Sequence, residues 1–361
     1  MRILIVSDAW LPQLNGVVRA LSTTRERLVG MGHEVEVLGP DRFRTVPCPT
    51  YPEIRLALTR PSRVGRLIEA FAPDAVHIAT EGPLGWCARH WLGRHDLRFT
   101  TSFHTLFPLY LKLRAGFPER WSYALLRRFH NAAAHTMCST PTLDGLLREH
   151  GIPSVVRWIR GVDTALFRPV APANLNLPGP ILMYVGRLAV EKNIEAFLGI
   201  DRPGTKVLVG DGPARAALQR RFPEAVFLGP RMGEALVAHY CAADVFVFPS
   251  KTDTLGLVML EALACGIPVA AYPVPGPGDV IGSSGAGVLD ENLAAAIDGA
   301  LNIPAEACLA HAANFDWGVS ARQFLHNLVP AQTPVSQALG ASASGSRESE
   351  NSIPPSLWTG D

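Results

Sequence analysis

Short apolar runs in this chain come in two series, each alternating with amphipathic segments, and one proline-rich stretch separates the series. The first comprises RILIVSD (2–8), EVEVLGP (34–40), AVHIAT (75–80), RFTTSFH (98–104), AHTMCST (134–140) and SVVRWIRG (154–161). The second comprises ILMYVGR (181–187), KVLVGDGP (206–213), AVFLGP (225–230), DVFVFPS (244–250) and IPVAAYP (267–273). Buried strands spaced by helix-length segments pair in parallel through crossovers, so each series predicts a doubly wound parallel sheet. VVRALSTTRERLVGMG (17–32) is one such crossover, closing on Gly30 and Gly32 as a helix C-terminus does. PVAPANLNLPGP (169–180), with Pro169, Pro172, Pro178 and Pro180, reads as a linker. The predicted organisation is an α/β unit over 1–168, a linker over 169–180, a second α/β unit over 181–314 and a final helix over 315–331. The Ser-, Pro- and Gly-rich tail, 332–361, lacks apolar periodicity and is expected to be disordered.

A chain of 361 residues, 48% apolar and 18% charged, has room for two cores. No stretch reaches the ~18–20 apolar residues of a membrane span. MRILIVSDAW lacks a small-residue cleavage site and reads as a first buried strand. The six cysteines are scattered without CxxC spacing, which argues against a zinc site or disulfide framework and for thiols in a reducing cytoplasm. The net charge of +1 hides an asymmetry. Residues 1–170 hold 22 Lys and Arg against 14 Asp and Glu, and the remainder holds 11 against 18. This predicts an anionic surface or ligand at the first half. Without a basic stripe interleaved with aromatics, it does not point to nucleic acid.

FPSKTDTLGLVMLEALACGIPV (248–269) poses a sharper question, because Glu261 sits in an otherwise apolar run. Burying a carboxylate is costly unless something hydrogen-bonds it. Either the protein supplies an arginine or backbone groups, or a ligand does. The run reads as a strand, a turn KTDTLG at its carboxyl end, and a helix ending at Gly266. Ligands of doubly wound sheets bind at such strand ends. The first N–H groups, at Leu255, Gly256 and Leu257, favour an anion such as phosphate. Glu261, one and a half turns on, could take both hydroxyls of a ribose. Asp253, on the turn, could hold a sugar hydroxyl or act as an N-cap.

YVGRLAVEKN (184–193) ends a strand with Gly186 and Arg187, with Lys192 spaced to converge on the same anion. Two fixed cations can neutralise a leaving diphosphate as a metal ion would, in a chain with no D-x-D. The alternative is two solvated charges. In the first half, DAWLPQLNGVVRAL (8–21) puts Gly16 at a helix start, and TTSFHTLFPLY (100–110) puts His104 just past a strand. VHIATEGPLG (76–85) likewise places Glu81, Gly82 and Gly85 at a strand end.

Together with RGVDTALFRP at the junction, these motifs resemble the retaining glycosyltransferases of family 4, over residues 1–330 or so. The resemblance implies the GT-B fold, two Rossmann-like domains facing across a cleft, with a nucleotide sugar as donor substrate and neither metal nor other cofactor. It implies that Arg187 and Lys192 bind the diphosphate, that Glu261 binds the ribose, and that Asp253 with the Leu255–Gly256 backbone holds the transferred sugar. Gly16 would lie by the diphosphate and His104 would contact the sugar. The family's E-x7-E signature has Asp at its first position here, Asp253.

The acceptor expected from the resemblance is a membrane lipid such as diacylglycerol, with the enzyme peripheral at the inner face of the plasma membrane. YLKLRAGFPERWSYALLRRFH (110–130), which includes Lys112, Arg114, Trp121, Arg127 and Arg128, would rest on an anionic bilayer or be an ordinary core helix with solvated arginines. The other readings are a mannosyltransferase acting on a polysaccharide or soluble acceptor, a nucleotide-sugar epimerase, and a non-catalytic nucleotide-sugar-binding module.

Overall fold

The computed structural model describes residues 1–13, 15–48 and 51–332, apart from the side chains of residues 51–53, 110 and 113–115. The tail from residue 333 lies outside the described residues. The strands run β1 Arg2–Val6, β2 Glu34–Leu38, β3 Arg44–Cys48, β4 Tyr51–Leu58, β5 Ala75–Ile78, β6 Thr100–Ser102, β7 Thr136–Cys138 and β8 Val155–Arg157. They continue as β9 Ile181–Val185, β10 Thr205–Val209, β11 Val226–Gly229, β12 Val245–Phe248, β13 Val269–Ala271 and β14 Gly287–Leu289. Two six-stranded sheets form, in the orders β2-β1-β5-β6-β7-β8 and β11-β10-β9-β12-β13-β14. Every pair in both is parallel.

The second order is that of a doubly wound dinucleotide-type sheet, whose direction of winding reverses between β9 and β12. In the first sheet the reversal lies between β1 and β5. The antiparallel hairpin β3–β4, absent from the sequence-based expectation, stands apart from the main sheet. Pro47 and Pro52 within it hide it, because proline normally argues against a strand.

Both faces of each sheet are covered. Ile3, Ile5, Leu21, Trp158 and Phe324 form one core of the first unit, while Leu4, Val6, Ile78, Leu84 and Phe129 belong to another. Phe324 comes from the last helix, Trp317–Asn327, which packs beside the helix Gly16–Gly30. The chain therefore crosses back to the first unit after completing the second sheet. The two crossings touch: Val162 N–H donates to Phe315 O at 2.9 Å, and Gly161 lies so close that an added Cβ would stand 2.5 Å from the Trp317 nitrogen.

His77, at the centre of the first sheet, is fully buried between Thr100 Oγ1 (2.8 Å) and Ser102 Oγ (3.0 Å). Burial, and then the charge of Arg160, push its pKa down to about 3. The unfolded chain takes up this proton near pH 6.5 and the fold only near 3. Stability should therefore fall as the pH is lowered through that window, by ~1.4 kcal/mol per pH unit from this group. Thermal melts of wild type and His77→Gln between pH 7 and 5 should show the shallower acid slope in the variant.

Candidate functional site

The carboxyl ends of both sheets face one cleft, and their winding reversals lie opposite each other. On the second unit, β12 runs into the turn 249–256, and the helix Leu257–Ala264 follows. Gly256 caps that helix with φ of 88°, and no side chain caps its first N–H groups. An added Cβ at Gly256 would meet Phe248 at 2.8 Å and Met259 at 2.9 Å, so the backbone can lie this close to the core only as glycine. Across the cleft the helix Gly16–Gly30 begins, capped by Asn15 Oδ1 through the N–H groups of Val17 and Val18. Gly16 faces Leu257, with its Cβ position 3.9 Å from that side chain. Two helix N-termini thus point into the same space, an arrangement that favours an anion.

The two motifs of the second unit are stitched together. Lys192, in the 3-10 turn Val190–Lys192, places Nζ 2.5 Å from Asp253 Oδ1. Thr252 Oγ1 donates to Glu191 O at 3.2 Å, and Asn193 Nδ2 donates to Pro249 O at 3.1 Å. Asp253 Oδ2 is buried with no hydrogen-bond partner. Arg187 follows β9, and its carbonyl accepts from Tyr184 Oη at 2.9 Å. Leu255 is buried in the core behind the turn.

Glu261 is 3% exposed. Its Oε1 is held by Arg19 of the first unit, and its Oε2 accepts from Tyr240 Oη at 3.0 Å. Both partners escaped the sequence reading, which allowed for a buried arginine without finding it. Arg19 lies 242 residues away, at an exposed position of the helix Gly16–Gly30, and nothing local in the sequence marks it. His104 is tied to the same region, since its carbonyl accepts from Thr254 Oγ1 of the second unit at 2.8 Å. Its ring lies between Ser102 Oγ (2.8 Å) and Arg160 (3.1 Å). Burial first, then the Arg160 charge, hold it well below the usual imidazole pKa.

Other strand-end residues have structural duties. Asp8 accepts from the N–H groups of Leu84 and Gly85 and from Thr80 Oγ1, so it caps the helix Pro83–Arg94. Glu81, expected at the ligand edge, holds His130 Nε2 at 3.1 Å.

The residues of 110–130 part company. Trp121 (59% exposed), Leu125 and Arg128 stand one below another on the outer face of the helix Glu119–His130. Phe107 and Leu111 are exposed on the preceding helix, Phe107–Ala115, and Phe117 between the two. Lys112 joins this surface and pairs with Glu119 at 3.4 Å. Arg127 turns away to donate to His150 O at 3.2 Å. The Arg114 side chain lies outside the described residues. Among the described residues no single helix is long and apolar enough to cross a membrane, and no cluster of three His, Cys, Asp or Glu stands ready for a metal ion.

Two doubly wound sheets thus meet across a cleft that two helix N-termini enter. Residues 14–166 match the model for Glycosyltransferase Family 4, and residues 179–303 that for Glycosyl transferases group 1. A GDP-mannose-dependent alpha-mannosyltransferase of Mycobacterium tuberculosis is 36% identical over 317 residues, covering 80% of this chain and 83% of the relative. An alpha-monoglucosyldiacylglycerol synthase of Streptococcus pneumoniae is 26% identical, covering 82% and 77%. The sucrose-phosphate synthase of Thermosynechococcus elongatus superposes with a TM-score of 0.73 at 22% identity, covering 90% of this chain and 97% of that one. The chain belongs to glycosyltransferase family 4, with the GT-B fold, and uses a nucleotide sugar.

Removing Arg19 would leave Glu261 buried beside Tyr240 alone. With the Arg19 side chain 42% exposed, Arg19→Met should cost ~1–3 kcal/mol, less than for a wholly buried pair. Urea unfolding of the two proteins at low and high salt would measure this, and Arg19→Lys should recover part of the loss.

Proposed function

We propose that the enzyme transfers a hexosyl group from a nucleoside diphosphate sugar to a membrane lipid such as diacylglycerol, with retention of anomeric configuration and without a metal ion. The observation that carries the donor half is the orphaned Asp253 Oδ2 beside the capless helix start at Gly256. A buried acceptor atom with no donor costs about 1–3 kcal/mol, and a sugar hydroxyl is the donor that would answer it. Lys192 fixes the other Asp253 oxygen, and on this reading Lys192 and Arg187 neutralise a diphosphate bound by the N–H groups of Leu255, Gly256 and Leu257. On this reading ribose hydroxyls share or replace the bonds that Arg19 and Tyr240 now make to Glu261, and Gly16 leaves the start of its helix open to the phosphates. GDP-mannose is the first donor to try, since the mycobacterial relative bears that name.

Asp253 is not the nucleophile, since one of its oxygens is held by Lys192 and the other serves the sugar. The acceptor hydroxyl instead attacks the anomeric carbon from the side the phosphate leaves. Its proton passes to the departing phosphate oxygen as the glycosidic bond forms and the sugar–phosphate bond breaks. Lys192 and Arg187 neutralise the charge that develops on that phosphate.

The lipid half rests on the surface of Phe107, Leu111, Phe117, Trp121 and Leu125, flanked by Lys112, Arg120 and Arg128. An apolar patch ringed by cations suits an anionic bilayer, and the pneumococcal relative is named for a diacylglycerol product. The second reading, a mannosyltransferase with a soluble acceptor, is favoured by the higher identity to the mycobacterial relative.

Diacylglycerol vesicles with EDTA and, in turn, GDP-mannose, UDP-glucose, UDP-galactose and UDP-glucuronate should give one new glycosyl lipid by mass spectrometry. Nucleotide binding without any such product would leave the soluble-acceptor reading. Under the same conditions Lys192→Ala should lower kcat ~10²–10³-fold. Turnover at the wild-type rate would remove Lys192 from the chemistry.

A further inference from the structure

Arg160 is 4% exposed, and among the described residues no carboxylate forms an ion pair with it. Its guanidinium stacks on the Trp158 ring at 3.8 Å, and Nη1 donates to Trp158 O at 2.7 Å. Its Nη2 stands 3.1 Å from His104 Nδ1. A guanidinium can only donate, so His104 Nδ1 must accept and the ring proton must sit on Nε2.

The rest of the network builds from this end. Nε2–H of His104 points at Ser102 Oγ, 2.8 Å away, and that hydroxyl spends its own proton on Ala79 O at 3.3 Å. Ser102 Oγ can therefore accept from a second donor, His77 Nε2 at 3.0 Å, which leaves His77 Nδ1 to accept from Thr100 Oγ1 at 2.8 Å. Arg160 sets the direction at one end of a buried chain of five side chains, Arg160, His104, Ser102, His77 and Thr100. A cation buried without a counter-charge is costly and needs a reason.

We propose that Arg160 is a positioning residue for glycosyl transfer: it fixes His104 as a neutral Nε2–H donor and holds that ring beside the turn that carries Asp253. The proposal rests on the reading of His104 as a sugar contact. The link to the reaction centre is the bond from Thr254 Oγ1 to the His104 carbonyl, one residue from Asp253. In this state His104 cannot take up a proton and does not serve as a base, and its Nε2–H meets a sugar hydroxyl only by exchanging the bond it now makes to Ser102 Oγ.

The groups facing His104 are Arg160, His77 on β5, and His130 on the helix Glu119–His130, whose own Nε2 is held by Glu81. Asp253 lies on the facing turn. Cys138, beside Arg160, is a neutral thiol whose pKa is pushed up to about 11 by burial.

The test has two arms. Ring-nitrogen NMR shifts of the wild-type chain should show His104 unprotonated at Nδ1 and not titrating between pH 5 and 8. A protonated Nδ1 overturns the proposal without any variant being made. In the second arm Arg160→Met should lower kcat ~10–100-fold, the loss typical when an outer hydrogen-bond partner of a site residue is removed, with the donor KM little changed. An acidic limb should appear in the pH profile as His104 becomes able to protonate. Arg160→Lys, which keeps a charged donor, should recover part of kcat and suppress that limb. A folded Arg160→Met with wild-type kcat and an unchanged profile overturns the proposal. A wild-type enzyme that shows the Nε2–H tautomer yet glycosylates nothing overturns the proposed function instead, and leaves the network as read.

Discussion

A carboxylate set into an apolar helix must be met by a hydrogen-bonding partner, and here the partner comes from the other half of the molecule. Glu261 lies among Leu260, Ala262 and Leu263, where an unpaired charge would cost several kcal/mol. Arg19 and Tyr240 answer it. Because Arg19 belongs to the first sheet's opening helix, satisfying one buried charge also brings Gly16 to face Leu257. The bond from Thr254 to the His104 carbonyl and the one from Thr142 Oγ1 to Asp279 (2.8 Å) join the same two halves elsewhere. The two halves are therefore joined across the cleft by polar contacts, while the cores stay intact on either side.

Much of this was legible in the sequence. The alternation of buried runs with helix-length segments placed the principal strands of both sheets, since nothing else satisfies a chain with that period. The last helix was visible as a helix, but its return to the first unit was not. That return depends on Trp158 Nε1 donating to Ser320 Oγ at 3.1 Å and on Phe324 filling a core built from residues 3 to 158. Tertiary complementarity of this kind leaves no periodic trace. β14 was missed as well, because GVL is too short to stand out from its loop.

The site divides along the same line. Residues carried by a local motif, such as Gly256, Lys192 and Asp253, were read directly from strand–turn–helix patterns, and the structure places them together. Residues whose meaning lies in a distant neighbour were not. Arg160 is one arginine among many in the first half, and nothing in RGVD shows that it is buried or that His104 is its partner. Asp8 stands at a strand end, yet it closes a helix start, which ties it to the scaffold. Charge near a strand end is a guide to chemistry only after its hydrogen bonds are counted.

The two chain crossings, at Gly161 and at Asp316–Trp317, run side by side and bond to each other through Val162 and Phe315. A single tether would let the halves twist, slide and tumble. A doubled one behaves as a leaf spring: it bends in one plane and resists torsion and shear. Whatever breathing the enzyme undergoes during turnover is then a swing about that edge, with the far rim travelling most. Glycine at 161 is what lets the two leaves lie this close, since any side chain there would strike the backbone of Asp316 and Trp317.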